Sequence, residues 1–159
     1  MTAQKLVQCL CLQEHPEGGF FAETYRSAAK TTVDGAPRSL STAIYYLLTK
    51  GARSRLHRIK SDEVWHFYAG GPLCVAQILP DGTADRTVLG PDLDAGQKLQ
   101  CVVPAGRWFG AYPEPGTEFT LAGCTVSPGF DFADFELAKR FELLRQFPQA
   151  RELIEKLTE

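Results

Sequence analysis

Five residues separate an imidazole from a carboxylate in the stretch Gly51 to Gly70, GARSRLHRIKSDEVWHFYAG, where His57 precedes Glu63. The stretch reads as two short strands joined by a polar turn. Side chains alternate between the faces of a strand, so Arg53, Arg55, His57 and Ile59 share one face of the first strand, and Glu63, Trp65 and Phe67 share one face of the second. If both sets face a common interior, His57 and Glu63 line one cavity. His57 is then a candidate general base with its pKa raised by the neighbouring carboxylate. The plainer role for it is a hydrogen bond to Glu63 that only shapes the pocket. Arg55, aimed inward, would clamp a phosphate or carboxylate, whereas Arg53 reads as a solvated strand end. Trp65 and Phe67, with Trp108 and Phe109 from a later segment, offer faces on which a base or sugar could stack. Tyr45 is a candidate general acid, and Tyr25 a candidate acid or ligand contact, both from neighbouring strands. His66 has the opposite parity to Glu63 and is expected to point outward. His15, in a Pro-Gly turn, is expected to make a structural hydrogen bond.

Those two strands need neighbours to close a cavity. Residues 2 to 12 carry Leu6, Val7, Leu10 and Cys11 at helical spacing with Thr2 as N-cap, and His15-Pro16-Glu17-Gly18-Gly19 ends that helix. FFAETYRS predicts a strand ending near Ser27, followed by a polar loop with Asp34-Gly35 and Pro37. SLSTAIYYLL is the clearest strand, rich in β-branched and aromatic residues. LCVAQIL, stopped by Pro80-Asp81-Gly82, predicts a hairpin with TADRTVLG as its return strand. KLQCVVPAG and FTLAGCTV predict two more strands. From Asp134 the apolar residues Phe135, Leu137, Ala138, Phe141 and Leu144 step at three and four, which predicts a helix. Pro148 interrupts it before ARELIEKL. Phe20, Phe21, Phe130 and Phe132 read as helix-packing or dimer residues. Seven to ten short strands with turn signals between them imply an all-β barrel or sandwich with a helical tail.

Composition narrows the function classes. At 159 residues the chain is one domain, with 44% hydrophobic and 23% charged residues, as in soluble globular proteins. The net charge of -2 comes from dispersed charges with no basic stripe, so no nucleic-acid partner is expected. No apolar run reaches the roughly 20 residues of a membrane span, and MTAQKLVQCLCLQEH lacks the basic and apolar regions of a signal peptide. The expected location is the cytoplasm. The five cysteines form an odd set without zinc-like spacing, and they read as reduced thiols.

The spacing Gly51, His57, Ile59, Glu63, Gly70 resembles the first motif of the cupin superfamily, which places two histidines and a glutamate as metal ligands on adjacent strands. Gly96, Pro104-Ala105-Gly106 and position 109 resemble the second motif, whose last ligand is a histidine. HPEGGFF, STAIYYLL, SDEVWHFYAG, VVPAGRWF and GCTVSPGFDFADFEL together look like the cupin-5 type family, and they tile nearly the whole chain. The resemblance implies a double-stranded β-helix, the cupin jelly-roll barrel, with a short N-terminal helix and C-terminal helices. It also implies a homodimer and a pocket in the barrel mouth. Ile59 and Phe109 stand where two of the histidines belong, leaving only His57 and Glu63 of four ligands, fewer than the three a catalytic metal site keeps. No cofactor is expected; at most His57 and Glu63 would hold a weak divalent ion completed by water.

Three functions follow. The first is a metal-independent isomerase or epimerase of a sugar phosphate or nucleotide sugar, with His57, Glu63 and Tyr45 as catalytic residues. The second is a non-catalytic cupin that binds a nucleotide-like small ligand. The third, less favoured by the ligand count, is a metal-dependent cupin enzyme.

Overall fold

The computed structural model describes all 159 residues. Helix α1 (Ala3–Cys9) starts at Thr2, whose hydroxyl accepts from the Lys5 amide at 3.3 Å. Its apolar side, Leu6 with Val7 and Leu10, packs on Leu47 and Leu121 of the barrel's outer face. The chain then runs through β1 (Gln13–Glu14), β2 (Phe20–Arg26), β3 (Lys30–Val33), β4 (Ala36–Ser39), β5 (Thr42–Thr49), β6 (Ser54–Arg58) and β7 (Asp62–Gly70). Beyond these lie β8 (Leu73–Ile78), β9 (Ala84–Leu89), β10 (Gln100–Val103), β11 (Phe109–Pro113), β12 (Phe119–Ser127) and β13 (Glu136–Leu137). Six strands pair in the order β1-β2-β5-β12-β7-β10 and five in the order β13-β6-β11-β8-β9, each neighbouring pair antiparallel. The two sheets face each other as a jelly-roll barrel.

The core between the sheets holds Tyr46, Leu48, Trp65, Val75, Val103, Phe109 and Cys124. A second apolar layer lies outside the five-stranded sheet, where Leu56, Cys74, Ala76, Ile78, Trp108 and Tyr112 meet helices α2 (Arg140–Gln146) and α3 (Arg151–Leu157). Strand β8 is therefore covered on both faces, which is why LCVAQIL shows no alternation.

Two expectations need correction. The polar loop around Asp34-Gly35 is a hairpin: β3 pairs β4, and the turn takes φ of 48° and 79° at those residues, as a two-residue hairpin turn requires. The helix expected from Asp134 begins only at Arg140. Glu136 and Leu137 instead pair with Arg58 and His57 of β6, because the free edge of that strand satisfies their backbone groups. Pro148 does break the tail, opening a 3-10 turn (Pro148–Ala150) before α3.

Candidate functional site

The barrel opens into a cavity of about 410 Å³ whose walls come from β2, β5, β6, β7, β12 and the segment after β12. Its polar centre begins with the turn His15-Pro16-Glu17-Gly18-Gly19. The His15 amide donates to the Gly19 carbonyl, and the Glu17 carbonyl accepts from the Arg55 amide, both at 2.9 Å, so the turn is stitched to the start of β6. Gly18 sits at φ +113°, and a Cβ there would lie 2.1 Å from the Arg53 carbonyl oxygen. Only glycine permits this approach, and the approach drives the Glu17 side chain into the barrel.

Glu17 is 6% exposed and fully partnered. Its Oε2 lies 3.0 Å from His57 Nε2, and its Oε1 accepts from Ser54 Oγ at 2.8 Å. The other ring nitrogen of His57, Nδ1, lies 2.7 Å from the Arg55 carbonyl oxygen. Both of its partners are acceptors, so both ring nitrogens donate and His57 is an imidazolium. Burial disfavours that charge, but the Glu17 carboxylate and its hydrogen bond, with help from Glu63 and the Arg55 carbonyl, raise the His57 pKa above its ordinary value. Burial likewise pushes Glu17 up, and the charge and hydrogen bond of His57, with His15 and Ser54, overcome it to hold the carboxyl at about 2. His15 accepts the Glu17 amide at Nδ1, 3.1 Å away, and burial, reinforced by the His57 charge, lowers its pKa against the pull of Glu17. The centre is thus a fixed ion pair beside a neutral histidine.

Glu63 differs. It is 7% exposed, faces the cavity from β7, and has only the Cys124 thiol as a hydrogen-bonding neighbour. Burial and the negative Glu17 raise its pKa to about 7 against the attraction of His57. At neutral pH the cavity therefore contains one carboxyl group poised between acid and base. The Tyr46 hydroxyl donates to the Gly18 carbonyl at 2.6 Å, which ties β5 to the glycine turn.

Of the residues singled out in the sequence, His57, Ile59 and Glu63 line this cavity together. His57 is neither a free base nor hydrogen-bonded to Glu63, because its two ring nitrogens are taken by Glu17 and the Arg55 carbonyl. Arg55 is not inside: its side chain bonds the Pro16 carbonyl and lies 3.2 Å from Glu159. The cause is a bulge, since Phe109 pairs His57 while Ala111 pairs Ser54, so β6 carries one extra residue and the parity flips. Ser54 takes the inward place. Tyr45 points out of the barrel towards α1 and lies 6.0 Å from Tyr68, while Tyr46 of the opposite parity faces in. Tyr25 is 55% exposed because a bulge after Glu23 turns Arg26 towards the cavity in its place.

Trp65 and Phe109 share the inner parity but fill the packed core below the cavity, and Phe67 packs against that same core. The Phe109 ring lies 4.2 Å from that of His57, so it supports the site from behind. Trp108 belongs to the layer under the C-terminal helices, with the Arg58 guanidinium 4.5 Å from its ring centre. His66 does point outward, 3.1 Å from Thr125 Oγ1.

The aromatic lining comes instead from Phe21, Tyr46, Phe130 and Phe132, with His15 edge-on to Phe21 at 4.6 Å. Phe130 and Phe132 follow β12, and Arg38 from β4 holds their segment by a two-pronged bond to Asp134, at 2.8 and 2.9 Å. Sequence reasoning missed Glu17, Ser54, Tyr46, Phe130 and Phe132. Glu17 alone had a signal, a carboxylate before two glycines.

A metal does not fit these residues. Ile59 and Phe109 fill two of the four ligand positions, His57 Nε2 is bound to Glu17, and no three His, Cys, Asp or Glu side chains gather in ligand geometry.

The antiparallel jelly-roll barrel is the architecture of the cupins. The chain belongs to the Cupin superfamily (DUF985), whose pattern matches residues 4–138. It is 32% identical over 152 residues to the Uncharacterized protein YML079W of Saccharomyces cerevisiae, covering 87% of this chain and 76% of that one. Two solved structures superpose closely. Protein SO0799 from Shewanella oneidensis has a TM-score of 0.91 and 41% identity over 100% of this chain and 98% of its own. A hypothetical protein from Leishmania major has a TM-score of 0.93 and 35% identity over 99% of both. No helix is long and apolar enough to cross a membrane.

Proposed function

We propose that this cupin binds a small polar metabolite in the barrel mouth and moves a proton on it without a metal, as an isomerase or epimerase does. The observation that carries the reading is Glu63: a buried carboxyl with a pKa of about 7, open to the cavity beside a fixed imidazolium. A carboxylate of that basicity can take a proton from a carbon next to a carbonyl. The electron pair then moves to the carbonyl oxygen; His57, whose two ring N–H groups are taken by Glu17 and the Arg55 carbonyl, donates no hydrogen bond to that oxygen and acts on it only through the field of its charge. Glu63 returns the proton to the neighbouring carbon or to the same one. Glu17 positions His57 and keeps it charged. Tyr46 holds the glycine turn and replaces Tyr45 as the inward tyrosine.

The test is proton exchange in deuterated water, followed by NMR on a panel of sugars, sugar phosphates and amino-carbonyl compounds. The protein should introduce deuterium next to the carbonyl of at least one of them, and Glu63→Gln should lower that rate by about 100-fold or more. Exchange unaffected by the substitution would refute the assignment.

A second reading, a binding cupin without catalysis, is supported by the engagement of Tyr46 and His57 in fixed hydrogen bonds. It expects ligand binding with no exchange for any compound.

A further inference from the structure

The segment Phe130-Asp131-Phe132 lines the cavity mouth, and the chemistry assigned above gives it no role. Phe130 and Phe132 stand edge to face at 4.9 Å, and Phe132 is 52% exposed, a large ring left at the rim. Asp131 lies between them. Its Oδ1 caps the Ala133 amide at 2.8 Å, while its Oδ2 comes no nearer to a cation than 3.9 Å from Arg38. Arg38 itself is committed to Asp134.

Every positive group at the cavity is already matched. Arg26 bonds both oxygens of Glu23, at 2.6 and 3.2 Å, and the Phe130 carbonyl at 3.1 Å. His57 is bound to Glu17 and to the Arg55 carbonyl. A phosphate would find no free cation there, and it would meet Asp131 at the rim and Glu63, buried and without a nitrogen or oxygen donor, inside. Aromatic faces beside Asp131, whose Oδ2 has no hydrogen-bonded cation and only the distant Arg38 at 3.9 Å, instead suit a positive charge, through the ring quadrupole and direct attraction.

We propose that the cavity selects a small organic ammonium compound, its cation lodged against Phe130 and Phe132 beside Asp131 and its reacting end towards Glu63. This substrate class rests on the proton-transfer reading for the reacting end alone.

The experiment is calorimetric titration of the full chain with choline, with 3,3-dimethylbutan-1-ol as its uncharged isostere, and with glycerol 3-phosphate. Choline should bind about tenfold or more tighter than the isostere, the preference expected for a partly desolvated cation over aromatic faces. Phe132→Ala should remove most of that preference, and its exposed position leaves the fold intact. Glu63→Gln should keep choline affinity within about threefold while abolishing deuterium exchange. Equal binding of choline and the isostere, no binding of choline, or tighter binding of the phosphate would overturn the ammonium assignment. Cation preference without exchange on any compound would overturn the proton-transfer reading and leave the cation site standing. Exchange without cation preference would do the reverse.

Discussion

Glu63→Gln removes one titrating proton and keeps the shape of the side chain, so its effect on stability is set by protonation. In the unfolded chain a glutamate loses its proton near pH 4.5, whereas in the folded protein Glu63 holds it up to about 7. Between those values the folded state binds one proton more than the unfolded state. Stability therefore falls as pH rises, by about 1.4 kcal/mol per pH unit for that one group. Over the interval this amounts to about 3 kcal/mol of stability, present at pH 4.5 and lost by pH 8. The groups facing Glu63 are His57 and Glu17 across the cavity, Cys124 on β12 and Cys101 on β10, and their charges enter the same balance. Glutamine carries no such penalty. The variant should match the parent protein near pH 4.5 and exceed it by up to about 3 kcal/mol at pH 8. With a urea slope of about 1–3 kcal/mol per molar for a domain of this kind, the unfolding midpoint at pH 8 should rise by about 1 M or more. Urea titrations at pH 4.5, 6 and 8 measure this directly. A difference that stays constant across those pH values, or a variant less stable at pH 8, would refute the account of Glu63.

Glu17 should behave oppositely: its pKa of about 2 lies below the unfolded value, so its contribution of up to about 3 kcal/mol is present above pH 4.5 and disappears as pH falls towards 2. Glu17→Gln should accordingly flatten the acid limb of a stability-pH curve. His57→Ala leaves the Glu17 carboxylate buried without its cation and should destabilise by about 3–5 kcal/mol, read as a lower thermal midpoint at pH 7. Gly18→Ala combines a positive φ with a Cβ 2.1 Å from the Arg53 carbonyl oxygen, so the turn must move. Hydrogen exchange of the Arg55 amide, bonded to the Glu17 carbonyl, should speed up markedly. Arg38→Met removes both bonds to Asp134 and should cost about 2 kcal/mol, with faster exchange at the Phe135 amide, which is bonded to the Phe132 carbonyl.

Local chemistry made much of the fold legible. The β-branched and aromatic run of β5, the Pro80-Asp81-Gly82 hairpin and the Thr2 cap all appear where their residue types demand. The start of α2 did not, because Glu136 and Leu137 have helical spacing and are claimed by the open edge of β6. Parity served the site only where the strands are regular. It held on β7 for Glu63, Trp65 and Phe67, and failed at Arg55, where a bulge inserts one residue; a similar bulge after Glu23 carries Tyr25 out of the cavity. A bulge depends on the partner strand and leaves no mark in the strand's own sequence.

The same division holds for the chemistry. Sequence by itself determined the family, the barrel, the His57-Glu63 pair and the replacement of two metal-ligand histidines by Ile59 and Phe109, because each is written in residue identity and short spacing. Only the tertiary structure decided what that pair is. Glu17 lies forty residues before His57, and it reaches the ring because Gly18 lets the turn press onto Arg53 at the entry to β6 while Gly19 lets it press onto β5. That contact makes His57 a fixed cation and leaves Glu63 as the group that titrates near neutrality. Protonation is set by burial and by charges close in space, and no spacing along the chain encodes either.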